Sequence, residues 1–285
     1  MHERPTKNPR DKRYLPVAAL DATRRTMVVK DIFASAPPTY DRLNHLLSFR
    51  RDIAWRRETV RRMRFPATRA FLDVATGTGD LAIAAALHHP EISVKGVDFA
   101  EPMLEVGRRK VLDLGLEERV QLGFGDALAL PFPDSSFDVA AIAFGMRNIP
   151  DKRRALAEMA RVVTPGGLVM VLEFTFAPSR GFRRLYGFYL KKLLPSLARL
   201  IVKDTSAYHY LADSILAYPR PEAFDQLMAE AGLSQIEHFA LTLGTVYLHI
   251  GSAPKVTPKA MPPAASSSRT SPDDGEAGGS VGGAA

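Results

Sequence analysis

From residue 70 onward, short apolar runs alternate with stretches whose apolar positions recur every three to four residues. Residues 70–75, 93–97, 120–122, 139–144 and 168–174 are short, rich in β-branched side chains and bounded by turn formers, which predicts buried strands. Residues 80–88, 102–114 and 151–163 carry the helical spacing. Alternation of this kind predicts an α/β fold, a mostly parallel Rossmann-like sheet with helices on both faces. Near the end, residues 236–241 and 246–250 flank Thr242-Leu243-Gly244-Thr245, the pattern of an antiparallel hairpin closing the sheet. Plain dinucleotide-binding folds lack that hairpin.

The pattern stops at both ends. Residues 1–25 mix Pro, Lys and Arg without periodicity, and residues 254–285 are rich in Pro, Ser, Gly and Ala. Neither stretch can build a core, so both are expected to be disordered tails around one domain over 26–253. The chain has no cysteine, which excludes disulfides, thiolate nucleophiles and Cys-based zinc sites. No apolar run approaches the roughly 18–20 residues that span a bilayer, and the basic N-terminus lacks the apolar segment of a secretory signal. A cytoplasmic protein is expected.

Charge adds a question about partners. Of the net +7, residues 1–30 supply +5, from eight Lys/Arg against three acids, and a second Arg cluster runs over 50–64. The excess therefore lies outside the strand–helix core. A solvated tail, an anionic membrane surface or RNA would each account for it.

The densest chemistry sits in Phe71-Leu72-Asp73-Val74-Ala75-Thr76-Gly77-Thr78-Gly79-Asp80, a strand leading through a Gly-rich turn into a helix. Gly77 and Gly79 let backbone approach a ligand, but Gly77-x-Gly79-x-x-Ala82 also fits a loose dinucleotide fingerprint. Acidity separates the readings. Asp73 and Asp80 would repel a pyrophosphate and attract the ammonium and sulfonium of S-adenosylmethionine. Asp98, about 20 residues beyond Gly77 at the end of the second strand, is placed to accept from both ribose hydroxyls. It would equally serve as an N-cap for the helix near Pro102. Asp126, in Gly125-Asp126-Ala127 after the third strand, can accept from an adenine amino group while the Ala127 N–H meets a ring nitrogen. A plain turn aspartate is the alternative. Three acids after three successive strands, at the edge where such sheets bind ligands, favour the cofactor site.

At this point the chain resembles the quinone-biosynthesis C-methyltransferases of the menaquinone and ubiquinone pathways, over roughly residues 28–252. Ile32-Phe33, Tyr40-Asp41, Asn44, Leu47-Ser48 and Trp55-Arg56 match an N-terminal signature of that family. Phe144-Gly145-Met146-Arg147-Asn148, Leu172-Glu173-Phe174, Asp204, Tyr208, Tyr210-Leu211 and Ser214-Ile215 match later ones. The resemblance implies a class I methyltransferase fold, S-adenosylmethionine contacts at Thr78, Asp98, Asp126 and Ala127, and lid or substrate segments over 26–66 and 178–218. It departs at Ala143, where some relatives carry a hydroxyl, and at Arg50, where a glycine is common.

The implied reaction methylates a ring carbon of a demethylated polyprenyl quinol, demethylmenaquinol or a ubiquinol precursor. Ring carbon becomes nucleophilic when a ring hydroxyl ionises, and Arg147 is the expected stabiliser of that phenolate, too basic itself to take a proton. A surface arginine is its alternative. Asn148 is expected to hold a quinol oxygen, or to cap the helix at Asp151. Asp204 and Tyr40 are candidate proton acceptors, with Tyr208 and His209 nearby and Asp204 equally able to pair with an arginine. No metal-ligand spacing stands out, and none is expected. Segment 182–203 interleaves Phe182, Leu185, Phe188 and Tyr189 with Arg183, Arg184, Lys191 and Lys192. It is expected either to rest on the inner face of the membrane or to pack as a lid helix. A homodimer is compatible, and nucleic acid is not expected as a partner. The competing functions are methylation of RNA or another metabolite, and a non-catalytic S-adenosylmethionine-binding subunit.

Overall fold

The computed structural model describes residues 50–176, 184, 186–189 and 206–255, together with residues 24, 27 and 48. Within these residues, strands β1 (Ala70–Val74), β2 (Ser93–Asp98), β3 (Val120–Phe124), β4 (Phe137–Ala143), β5 (Val163–Phe174), β6 (Ser234–Leu241) and β7 (Val246–Ser252) form one sheet. Its order is β3-β2-β1-β4-β5-β7-β6. The helices are α1 (Arg51–Arg61), α2 (Asp80–His88), α3 (Glu101–Asp113), α4 (Lys152–Val162), α5 (Ser206–Leu216) and α6 (Pro221–Glu230). The expected α/β fold is present, with every predicted strand in place and with the helices predicted over 80–88, 102–114 and 151–163.

Strands β3, β2, β1, β4 and β5 pair in parallel, whereas β7 pairs antiparallel with both β5 and β6. The closing hairpin therefore inserts its second strand beside β5 and leaves its first at the edge. Strand order reverses between β1 and β4, and in such sheets the ligand crevice opens above the carboxyl ends at that point.

Alternation along each strand fills two cores, because side chains of successive residues point to opposite faces. Phe71 packs with Leu81, Leu104, Val139, Met170 and Leu248 on one face. Its neighbour Leu72 packs with Ile142, Leu156, Val171, Phe224 and Met228 on the other. Both are fully buried, as expected for strands covered on both sides.

Two local features add to the sequence pattern. Thr164-Pro165-Gly166-Gly167 lies within β5, where register jumps from Phe137↔Val163 to Val139↔Leu168. It stays tied to the sheet because Gly166 N–H donates to the Ala253 carbonyl and Ala253 N–H to that of Gly167. Asp138, a neighbour of the Asp126 motif in sequence, is a staple. Its buried carboxylate accepts the N–H groups of Ala67, Thr68 and Arg69 at 3.0, 2.8 and 2.7 Å, fixing the chain entering β1.

Candidate active site

The β1 loop turns away from the sheet through left-handed residues, Ala75 at φ 53°, Gly77 at 57° and Gly79 at 80°. A Cβ at Gly77 would meet Met103 Cε at 3.7 Å, an ordinary contact, so its left-handed backbone and not crowding is what favours glycine there. Asp73 lies beneath the loop, its Oδ2 accepting from Thr76 Oγ1 at 2.6 Å and from the Ala82 N–H at 3.1 Å. Its Oδ1 is buried and has no partner among the described residues. Burial pushes the carboxyl up to about 7, against the opposing pull of those hydrogen bonds.

Asp98 joins β2 to the same loop. Its Oδ2 accepts the Gly77 N–H at 2.8 Å and its Oδ1 the Ala100 N–H at 2.9 Å. Burial raises its pKa, while backbone hydrogen bonds from Ala100, Gly77 and Phe99 pull the other way. The N-cap of α3 is Ala100, so the capping alternative for Asp98 gives way to bracing of the glycine loop. A carboxylate offers about four lone-pair directions, so with three backbone N–H groups bound about one remains for a hydroxyl of a ligand. Asp126 is exposed after β3, and its Oδ1 accepts the Leu128 N–H at 2.9 Å in a turn that sets Ala127 beside it.

Asp80 corrects the charge argument. Lys110 Nζ sits 2.8 Å from one of its oxygens and Arg56 3.6 Å from the other. Lys110 also donates to Thr78 Oγ1 at 3.0 Å. The attraction for a cation therefore rests on Asp73 and Asp98, while Lys110 fixes Thr78 and Asp80 together.

On the far side of the switch point, β4 leaves the sheet through Phe144, also left-handed at φ 60°, into a 3-10 turn at Met146–Asn148. Arg147 is not a surface residue, being 6 % exposed. Its Nη1 meets Glu173 Oε1 at 2.9 Å, its backbone N–H meets Oε2 at 3.0 Å, and Nη1 also donates to the Phe144 carbonyl. Asp151 caps α4 by accepting the Arg154 N–H at 2.9 Å, which removes the capping alternative for Asn148. The Asn148 Oδ1 is buried and has no partner among the described residues.

Aromatic rings line this half. Trp55, held by its Nε1 to Thr242 Oγ1 at 2.8 Å, packs against Phe144 and Phe174 with centroids 6.0 and 5.7 Å away. Tyr186 and Tyr218 are buried close enough to feel the Arg147–Glu173 pair. Burial, the largest cause, drives both phenols well above their usual range. Tyr186 stacks with Phe176 on one side and Tyr189 on the other.

The structure thus gathers Asp73, Gly77, Thr78, Gly79 and Asp98 around one loop, sets Asp126 and Ala127 after the next strand, and buries Arg147 and Asn148 beyond the switch point. Tyr40, Asp204 and most of segment 182–203 lie outside the described residues, as do the side chains of Tyr208 and His209. Sequence reasoning assigned no role to Glu173, Lys110 or Tyr218. Glu173 carried a usable signal, a lone acid in the otherwise apolar run 168–174, since unpaired carboxylates are almost never fully buried.

Residues 20–253 match the model of the ubiE/COQ5 methyltransferase family. This chain belongs to that family. It is 46 % identical over 223 residues to the demethylmenaquinone methyltransferase of Thermus thermophilus, covering 78 % of this chain and all of the relative. It is 42 % identical over 224 residues to the ubiquinone/menaquinone biosynthesis C-methyltransferase UbiE of Geobacter sulfurreducens, covering 78 % and 87 %. The fold is shared with a SAM-dependent methyltransferase from Thermotoga maritima, at TM-score 0.56 and 21 % identity over 78 % of this chain and 99 % of the other. It is also shared with phosphoethanolamine N-methyltransferase 2 of Haemonchus contortus in complex with S-adenosyl-L-methionine, at 0.57 and 15 % over 80 % and 60 %.

The residues of this family member fit S-adenosylmethionine on its own chemistry. The unpartnered Asp73 oxygen is a buried acceptor suited to a cation, and Asp98 keeps acceptor capacity for a ribose hydroxyl. Gly77 adds backbone with no side chain in a ligand's way.

Proposed function

We propose that this ubiE/COQ5 family member methylates a ring carbon of a demethylated polyprenyl quinol, with demethylmenaquinol as the first substrate to test and a ubiquinol precursor as the second. The observation that carries this reading is the buried Arg147–Glu173 pair beside the unpartnered Asn148 amide oxygen, one strand away from the acidic loop.

S-adenosylmethionine supplies an electrophilic methyl group when bound. Asp73 would take its ammonium, Asp98 a ribose hydroxyl, and Asp126 with Ala127 its adenine. The remaining task is to make ring carbon nucleophilic. A phenolic hydroxyl has a pKa near 10, so about one in a thousand is ionised at pH 7, a deficit of roughly 4 kcal/mol. Arg147 would offset part of it by donating to the oxygen that becomes phenolate. Glu173 balances the guanidinium charge, so the pair acts as a fixed donor rather than as a naked cation. Asn148 Oδ1 would accept from a second ring hydroxyl and set the ring plane. Tyr186 and Tyr218 stay protonated and cannot serve as bases, and Asp204 and Tyr40 are the proposed proton acceptors.

The polyprenyl tail belongs in a bilayer, so the proposal includes peripheral contact with the inner membrane face through segment 182–203. No helix among the described residues is long and apolar enough to cross a membrane. Exposed Phe188 in this segment supports the contact. Sedimentation with anionic liposomes checks it, and Lys191→Ala/Lys192→Ala is expected to reduce the bound fraction.

The decisive measurement is the quinone pool of cells lacking the protein. Demethylmenaquinone is expected to accumulate and to disappear when the wild-type chain, but not Arg147→Ala, is restored. An unchanged pool would overturn the proposal.

A further inference from the structure

The methyl-transfer site leaves one polar cluster unused. His238 on β6 and His249 on β7 are direct cross-strand partners, so their side chains share a face of the hairpin. Asp225 comes down from α6 onto both. Its Oδ2 lies 2.6 Å from His238 Nδ1 and its Oδ1 lies 2.7 Å from His249 Nδ1. The donor atoms of all three residues lie within 4.8 Å of one another. The cluster is set back from the carboxyl edge, since His249 stands opposite Val171, whereas the Arg147 partner Glu173 stands opposite Tyr247.

We propose that Asp225, His238 and His249 bind a divalent transition metal ion of the zinc class. Two imidazoles and one carboxylate are a donor set that zinc takes in tetrahedral geometry with a fourth position left to water or a further ligand. Other features of the surroundings agree. Phe224 packs edge-on against His249 at 4.8 Å and Tyr247 against His238 at 5.5 Å, so the rings are already held in place. His249 is buried at 2 %, whereas the side chains of His238 and Asp225 are 30 % and 24 % exposed, which leaves an entry side. Glu222 lies one turn before Asp225 on α6 and acts electrostatically on His249, so a second carboxylate is at hand.

The ion would bind each Nδ1 with the ring proton carried on Nε2, and the carboxylate would take the ion in place of its hydrogen bonds to the two rings. Zinc–nitrogen bonds of about 2.0–2.1 Å separate tetrahedral donors by about 3.4 Å, so each His–Asp contact would widen by roughly 0.7 Å. Metal would then clip α6 to the β6–β7 hairpin, which otherwise meet through Phe224, Met228, Leu233 and Ile236.

The test uses the full chain, tag-free and stripped with chelator, titrated with Co2+ as a visible probe and then competed with Zn2+. One equivalent of Co2+ with the d–d absorption of a low-coordinate site is expected, displaced by Zn2+. His238→Gln keeps a polar group near Asp225 and is expected to weaken Co2+ binding at least tenfold, as is Asp225→Asn. Zn2+ is expected to raise the melting temperature of the wild type but not of either variant. No absorption band at tenfold Co2+ excess would overturn the proposal. So would equal affinity in His238→Gln and the wild type, or loss of binding on replacing His88, which lies elsewhere on α2.

Discussion

The two halves of the carboxyl edge solve opposite electrostatic problems. Around β1 and β2, Asp73 and Asp98 are buried carboxylates tied to backbone N–H groups, and both are pushed toward the neutral acid. Around β4 and β5, a buried guanidinium lies 2.9 Å from a buried carboxylate, so each faces its opposite charge within the protein. The first half has unmet demand for a positive charge. The second has met its own demand and offers orientation instead. A cationic methyl donor and a phenolic acceptor would meet at the β1–β4 boundary, each on the half suited to it.

The strongest way to break this contrast is to unbalance the second half alone. Glu173→Gln leaves Arg147 buried with its ionic partner gone, a change that typically costs about 3–5 kcal/mol. Thermal or urea unfolding is expected to show that loss, with turnover falling at least a hundredfold. Restoring neutrality with Glu173→Gln/Arg147→Met is expected to recover much of the stability and none of the turnover. If the single variant unfolds like the wild type, the pair is not the clamp its geometry describes. S-adenosylmethionine affinity, read by calorimetry on the folded fraction, is expected to change less than threefold in either variant.

Next in size is the first half. Asp98 holds the Gly77 N–H and is proposed to accept a ribose hydroxyl, hydrogen bonds to a charged group worth roughly 1.5–3 kcal/mol each. Asp98→Ala is expected to weaken S-adenosylmethionine at least a hundredfold, by about 3 kcal/mol. Asp98→Asn keeps the shape and is expected to lose less. Equal affinity in Asp98→Ala and the wild type would mean that the carboxylate only braces the loop.

These halves were not equally legible in the sequence. Asp73, Gly77, Gly79 and Asp98 sit within 26 residues, at spacings fixed by one strand, one turn and one helix, so local pattern and elementary electrostatics reached them. Asp80 misled that reasoning, because its countercharges Lys110 and Arg56 come from α3 and α1 and no spacing announces them. Arg147, in the 3-10 turn that follows β4, and Glu173, near the end of β5, are 26 residues apart, and the parallel pairing of β4 with β5 brings them together. Family resemblance pointed to Arg147, but its burial and its partner are tertiary facts. The hairpin was readable as a hairpin, whereas the insertion of β7 beside β5 was not, since either strand satisfies the same alternation.

A smaller effect separates the halves by pH. Asp73 ionises near 4 when unfolded and near 7 in the ligand-free fold. Its folded value is raised, so the stability tied to its protonated form is present below about 4 and lost as pH climbs through about 7. The loss amounts to about 4 kcal/mol if no cation is bound. Binding of a cation needs the ionised form, of which about a tenth is present at pH 6 and half at pH 7. S-adenosylmethionine is therefore expected to bind about fivefold more tightly at pH 7 than at pH 6. Asp73→Asn is expected to flatten that dependence, and calorimetry at the two pH values reads both. A steep profile in Asp73→Asn would assign the titration to another group.

The smallest predicted effect concerns α1, which touches both halves, through Arg56 to Asp80 and through Trp55 to Phe144 and Phe174. Arg50 precedes this helix at φ 59°, in the left-handed region that favours glycine. That backbone costs a non-glycine residue about 1–2 kcal/mol, and the freedom glycine gains when unfolded takes back about 0.5–1. Arg50→Gly is thus expected to stabilise the protein by about 0.5–1 kcal/mol, raising the melting temperature by about 1–4 °C. If α1 is a fixed strut between the two halves, turnover and S-adenosylmethionine affinity stay within twofold of wild type. A kcat change beyond that, with stability increased, would show instead that the strained start of α1 is used to move the helix during the reaction.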